Sequence, residues 1–207
     1  MRSWIFALVV LNALSLPLLQ SASAEPASET TASYLALRIG SRFPEDDLYC
    51  TTLLEVGGRF SRLVSDRAEV LVGVDYGQGK GDTGSEYCGL GEVKDSRLKA
   101  LVIQGGARIK LTESQKPALC LGLVVMGVRT SEEACRPYSN GESIEISDWN
   151  PAAGMIVALE WRGHARVRGL GIEASLIAQH VGSEDCGSCA MADLSGSSIH
   201  GYIMFGL

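Results

Sequence analysis

Glu69-Val70-Leu71-Val72-Gly73-Val74-Asp75-Tyr76-Gly77 carries the decisive pattern. Val70, Val72, Val74 and Tyr76 fall on one face of an extended chain, and Glu69, Gly73, Asp75 and Gly77 on the other. A period of two marks a β-strand. The second face combines carboxylates with glycine. A solvated strand face gains nothing from glycine, which weakens strands. The interior of a narrow closed barrel does gain from it, because side chains there have little room.

The same alternation recurs along the chain, in runs 34–43, 52–63, 69–77, 99–111, 118–129, 154–162, 170–180 and 199–207. The run at 118–129 is the least polarised, since Leu119, Leu121, Leu123 and Val125 oppose Cys120, Gly122, Val124, Met126 and Val128. Connections at 64–67, 112–117 and 163–168 are short, whereas 44–50, 78–97, 130–153 and 181–197 are mostly longer. Short turns on one side and long loops on the other predict an all-β, eight-stranded, antiparallel, up-and-down transmembrane barrel. Only helices and closed barrels satisfy every backbone group in lipid.

A soluble barrel would turn the same pattern inside out. The small residues Ala36, Gly40, Gly57, Gly73, Gly77, Gly106, Gly122, Ala158 and Gly171 favour a crowded polar lumen. Between them stand Arg38, Arg42, Arg59, Arg108, Lys110 and Arg162 against Glu55, Glu69, Asp75, Glu160 and Glu173. Enclosed charges must pair to offset desolvation. A lumen ion network is therefore expected, with Leu35, Val72, Leu121 and Phe205 outside.

Residues 1–24 fit a secretory signal peptide: Arg2, an apolar stretch from Trp4 to Leu19, then Ala22-Ser23-Ala24. Residues 25–32 are polar and are expected to be a periplasmic lead-in. Residues 33–207 form one domain by length. The net charge of −6 speaks against nucleic acid, which calls for a basic patch. Export puts six cysteines in an oxidising compartment. Cys50, Cys88, Cys135, Cys186 and Cys189 fall on the long-loop side and are the disulfide candidates. Cys120 lies on a strand near the short turns. Six cysteines allow about 15 pairings, so connectivity stays open.

The pattern resembles the small outer-membrane barrels typified by the OmpA membrane domain and OmpX. The resemblance lies in the eight runs, the alternating loop lengths, and a C-terminal strand, Ile199-His200-Gly201-Tyr202-Ile203-Met204-Phe205-Gly206-Leu207. It implies an outer-membrane monomer among lipid and lipopolysaccharide. Its loops are acidic here, with Glu45, Asp46, Asp47, Glu132 and Glu133 among them, while the short turns carry Arg67, Lys116, Arg166 and Arg168.

Motifs for chemistry are weak. Cys186-Gly187-Ser188-Cys189 lacks the second ligand pair that zinc needs. Gly77-Gln78-Gly79-Lys80-Gly81 lacks phosphate-loop spacing, and the acidic loops lack EF-hand spacing. No cofactor or metal is expected. Outer-membrane lipid A deacylases, which resemble this chain in length, use His-x-Ser with Glu. None of His164, His180 and His200 has Ser two residues later. His200 is expected to bond within the lumen, with neighbouring serines pointing away from it. The leading reading is a non-catalytic surface protein, serving envelope integrity, adhesion or ligand binding through disulfide-braced acidic loops. The alternatives are a lipid-modifying enzyme and a soluble periplasmic barrel holding a small apolar ligand.

Overall fold

The computed structural model describes residues 32–44, 52–80, 95–112, 117–135, 143–162, 167–179 and 194–207. The signal-peptide reading falls outside them, as do Cys50, Cys88, Cys186 and Cys189.

Eight strands form: β1 (Ser33–Pro44), β2 (Leu53–Leu63), β3 (Ala68–Lys80), β4 (Asp95–Lys110), β5 (Ala118–Cys135), β6 (Ser143–Arg162), β7 (Val167–Gln179) and β8 (Gly196–Gly206). Each pairs antiparallel with its sequence neighbour, and β1 pairs with β8, so the sheet closes. The closing ladder runs from Tyr34↔Gly206 to Pro44↔Gly196, and Leu207 donates its backbone N–H to the Ser33 carbonyl at 3.0 Å. The β2–β3 turn is held by Val64 N–H to the Ala68 carbonyl at 3.0 Å and by Ala68 N–H to Ser65 Oγ at 3.0 Å.

The exterior is apolar on all eight strands. Leu37, Leu54, Val74, Ile103, Leu123, Met155, Leu176 and Ile199 are all exposed, and Leu123 retains 65 % of its surface. Leu35 and Val72 are exposed as expected, and Leu121 and Phe205 lie half-buried on the same outer face. The interior instead holds Arg38, Arg42, Arg59, Arg108 and the carboxylates of Glu55, Glu69, Asp75, Glu160 and Glu173. A soluble barrel would hide the first set and hydrate the second. Open water around this wall would forfeit about 25 cal/mol for each Å² of apolar surface left wet. The wall suits hydrocarbon, and the chain is a membrane-spanning barrel of the outer-membrane type.

The strand ends differ from expectation on the long-loop side. The span 130–153, expected as loop, is mostly ladder: β5 continues to Cys135 and β6 begins at Ser143, paired Cys135↔Ser143. Cys135 therefore closes a strand. β3 and β4 likewise extend to Lys80 and back to Asp95. In the β5 extension Thr130, Ser131, Glu132 and Glu133 put polar residues at both parities, so no hydrophobic period announces it, while the β6 extension alternates only over the short run Ser143-Ile144-Glu145-Ile146-Ser147. Pro151 stands just before Ala152, the first β6 residue paired to β7. Beyond that point no described residue pairs with the β7 side of β6, and a missing N–H is tolerated at such a position.

The lumen is not uniformly polar. Leu53, Leu71, Leu98, Val102, Val124, Met126, Val128, Ile156, Ile177 and Leu194 pack into one buried apolar cluster. This explains the weak alternation at 118–129: both faces of β5 meet apolar surroundings, lipid outside and this cluster inside.

Candidate functional site

The buried charges of the lumen form a connected set that reaches across the barrel. Glu173 on β7 accepts from Arg38 Nη2 on β1 at 2.8 Å and from Arg59 Nη1 on β2. Arg38 Nη1 also donates to Asp75 on β3 at 2.6 Å, and Gln104 Nε2 on β4 donates to the same carboxylate oxygen at 2.7 Å. Arg108 on β4 lies 2.9 Å from Glu69 and 2.5 Å from Glu160 on β6. Tyr202 on β8 donates its hydroxyl to Glu160 at 2.7 Å, and the Arg59 guanidinium stands 4.9 Å from the centre of its ring. Such charge-assisted contacts, made where water is excluded, are the strong ones.

Glycines make the space. Gly40 stands across the ladder from His200, Gly57 from Asp75, Gly77 from Glu55 and Gly171 from Tyr202. A Cβ on Gly171 would lie 2.2 Å from the Tyr202 ring, and one on Gly57 would lie 2.0 Å from Asp75 Oδ1. Each large polar group thus leans over a residue with no side chain. The glycine-rich polar face of the sequence is the imprint of this packing.

A second constellation sits towards the long-loop end. Arg42 Nε donates to Glu55 Oε1 at 2.6 Å, and His200 Nε2 lies 2.8 Å from Glu55 Oε2. The carboxylate is an acceptor, so Nε2 carries the hydrogen of this contact. Ser198 Oγ lies 3.4 Å from Nδ1 and 2.6 Å from Ser175 Oγ. Serine, histidine and glutamate therefore do converge. The expectation that serines beside His200 point away holds for Ser197 alone. Ser198 is two residues away, and a period of two puts it on the same face.

This group is sealed from solvent in the described structure. Ser198 retains 1 % of its surface, His200 2 % and Glu55 none. The Arg42 guanidinium already neutralises the carboxylate that would stabilise an imidazolium. The arrangement bonds the lumen together.

The sequence picked out eleven charged residues for the lumen. The structure brings together Arg38, Arg42, Glu55, Arg59, Glu69, Asp75, Arg108, Glu160 and Glu173 there. The Arg162 side chain lies outside the described residues, and Lys110 is half-buried at the short-turn end. Sequence reasoning left out Gln104, Ser175, Ser198 and Tyr202, all buried on inner faces. Their parity with Arg108, Glu173 and His200 along β4, β7 and β8 was the available signal. Cys120 is a buried thiol on the inner face of β5. Among the described residues no cluster of His, Cys, Asp or Glu has the geometry of a metal site.

No family model matches the sequence, and no curated protein matches it. Among solved structures, the chain is similar to Ail, the attachment invasion locus protein of Yersinia pestis, solved in complex with the heparin analogue sucrose octasulfate. The identity is 15 %, the TM-score 0.47, and the match covers 86 % of this chain and 97 % of that one. The N-terminal β-barrel domain of Pseudomonas aeruginosa OprF is 11 % identical with a TM-score of 0.42, covering 87 % of this chain and 100 % of that one. The translocator domain of the autotransporter NalP from Neisseria meningitidis is 9 % identical with a TM-score of 0.35, covering 97 % and 96 %. At these values the barrel assignment rests on the closed ladder of the chain itself.

Proposed function

We propose that this chain is a non-catalytic outer-membrane barrel, exported through its leader at residues 1–24, whose work is done at its outward end. The observation that carries this reading is the contrast between the two ends. Among the described residues the lumen is filled by ion pairs and an apolar cluster. Eight strands enclose an interior just wide enough for side chains, and aqueous channels need about 16. At the turn end the chain reverses tightly, as in 64–67. At the other end β5 and β6 run for 18 and 20 residues, where about 9–11 span a bilayer. The surplus ladder, with the connections it carries, projects a surface from the membrane. That surface serves adhesion, ligand binding or envelope integrity.

On this reading Cys50, Cys88, Cys135, Cys186 and Cys189 brace the outward surface. Non-reduced peptide mapping of the exported protein should find at least two bridges among them, and five free thiols would remove the bracing. The barrel itself is tested by cell fractionation with heat-modifiable gel migration, and by permeability of vesicles carrying the folded chain. The reading expects an outer-membrane, heat-modifiable band and no sugar flux. Flux of small sugars would refute the sealed lumen, and a soluble periplasmic protein would refute the whole reading.

A further inference from the structure

At its long-loop end the interior of the barrel has two sides. Arg42, Glu55, Ser198 and His200 hold the side of β1, β2 and β8. Leu98, Val102, Met126, Val128 and Ala152 hold the side of β4, β5 and β6, as part of the apolar cluster. One member of that cluster comes from no strand. The β7–β8 ladder ends at Ile177↔Gly196, and Leu194 lies beyond it with none of its surface exposed. Its N–H bonds Gln179 Oε1 at 3.1 Å, and Gln179 N–H bonds Ser195 Oγ at 2.9 Å. Gly196 has a φ of 140°, which glycine adopts without steric cost. There the chain turns off β8 and seats the Leu194 side chain in the mouth of the lumen. Every other described member of the cluster is pinned by a strand ladder.

Two buried donors stand at the same end without an acceptor. Arg42, 2 % exposed, gives Nε and Nη2 to Glu55, and its Nη1 has no partner among the described residues. Asn150, 5 % exposed, shares the inward parity of Ala152, and its Nδ2 has no partner among the described residues. Each stands directly across the ladder from a cluster member, Arg42 from Leu53 and Asn150 from Val128. A buried donor without an acceptor carries its full desolvation penalty, so an orphan of this kind calls for a partner.

We infer that the outward mouth of the lumen binds a single-chain carboxylate amphiphile, with its tail in the place of Leu194 and its head between Asn150 and Arg42. The apolar cluster receives the tail, and the carboxylate, an acceptor only, takes the two hydrogens that the barrel leaves unused. Leu194 is the member that yields, because two side-chain hydrogen bonds and a glycine hold it rather than a ladder. The inference rests on the membrane-barrel reading above and adds a ligand class and an address to it.

The test is methyl NMR of the leucine-labelled, heat-modifiable exported chain in nanodiscs of zwitterionic phospholipid, titrated with octanoate and with octylammonium. Octanoate should give saturable shifts at Leu53, Leu98 and Leu194 inside the barrel. Leu37 and Leu123, on the outer wall, should show only the unsaturated drift of partition into the bilayer. Octylammonium has the same tail with a donor head and should give no saturable shift at the inner leucines. N150A should weaken octanoate binding by about tenfold or more, the worth of one hydrogen bond to a charged group. L194A should tighten it, because the tail then displaces less of the stopper. Unsaturated drift at inner and outer leucines alike would mean bilayer partition only and would overturn the inference. Equal binding of octylammonium, unchanged affinity in N150A, or an L194A chain that binds no tighter would overturn it too. The comparison of the two probes is read on the wild type, so it decides the matter even where a variant fails to fold. Those outcomes leave the barrel standing, whereas a wild-type chain without a heat-modifiable band brings down the membrane reading and this inference together.

Discussion

Glu173→Leu is the sharpest perturbation of the lumen. Its carboxylate, 1 % exposed, is shared by Arg38 and Arg59. Arg38 keeps Asp75 at 2.6 Å when Glu173 is removed. Arg59 keeps the Tyr202 ring, a contact worth about 2 kcal/mol when desolvated, and loses its carboxylate. The loss therefore counts as one broken buried pair rather than two, and breaking such a pair costs about 3–5 kcal/mol. The assay is reversible urea unfolding of the barrel in phospholipid vesicles, followed by Trp149 and Trp161 emission. Glu173→Leu should lower the unfolding free energy by about 3 kcal/mol or more. Adding Arg59→Leu removes the stranded charge, and a double variant that regains at least half of the loss completes the argument. A single variant within about 0.5 kcal/mol of wild type would refute it, since surface changes are usually that small. A double variant worse than the single one would refute it equally.

Glu55→Leu strands both Arg42 and His200 and should also destabilise by about 3 kcal/mol, read by the same unfolding curves. Gly171→Ala should push the Tyr202 ring off Glu160 and cost about 1–3 kcal/mol as an overpacked site, whereas Gly201→Ala meets no atom within 4 Å and should be neutral or slightly stabilising. Leu123→Arg, in the middle of the lipid-facing wall, should cost about 2–4 kcal/mol, and Ser131→Arg, two rows beyond the apolar zone, about 1 kcal/mol or less. A fluorophosphonate probe should leave Ser198 unlabelled in the folded protein; labelling lost in Ser198→Ala would restore the hydrolase reading.

The barrel was legible wherever a strand had two different faces. In β3 the alternation of valine with glycine and carboxylate gives parity, register side and lumen character together. Where lipid and water do not set the two faces against each other, legibility ends. The outer part of β5, Thr130-Ser131-Glu132-Glu133, is polar at both parities, so only backbone pairing reveals it. The inner face of β5 is apolar because it meets Leu71, Leu98 and Ile156, and no rule of alternation distinguishes that from a membrane helix fragment or a core strand. The membership of the ion network was readable, since enclosed charges must balance, but its wiring was not. Which carboxylate meets which guanidinium depends on the stagger of the closed sheet, and that stagger belongs to no single segment. The Ser198 and His200 juxtaposition was within reach of the two-residue period.

The wiring of the lumen has a consequence for assembly. Glu173 finds its guanidiniums 135 and 114 residues away, and Glu55 finds His200 145 residues away. No hairpin of the nascent barrel contains both members of these pairs. Local hairpins can pair Arg42 with Glu55 and Arg108 with Glu69, but until β7 and β8 return to β1 and β2, Glu173 and Arg59 would enter the bilayer without each other, an unfavourable state that those hairpin pairs do not relieve. Insertion and closure should therefore be a single concerted event: a half-built barrel is held at the membrane surface by its own interior, and enters the hydrocarbon only when the last strand arrives.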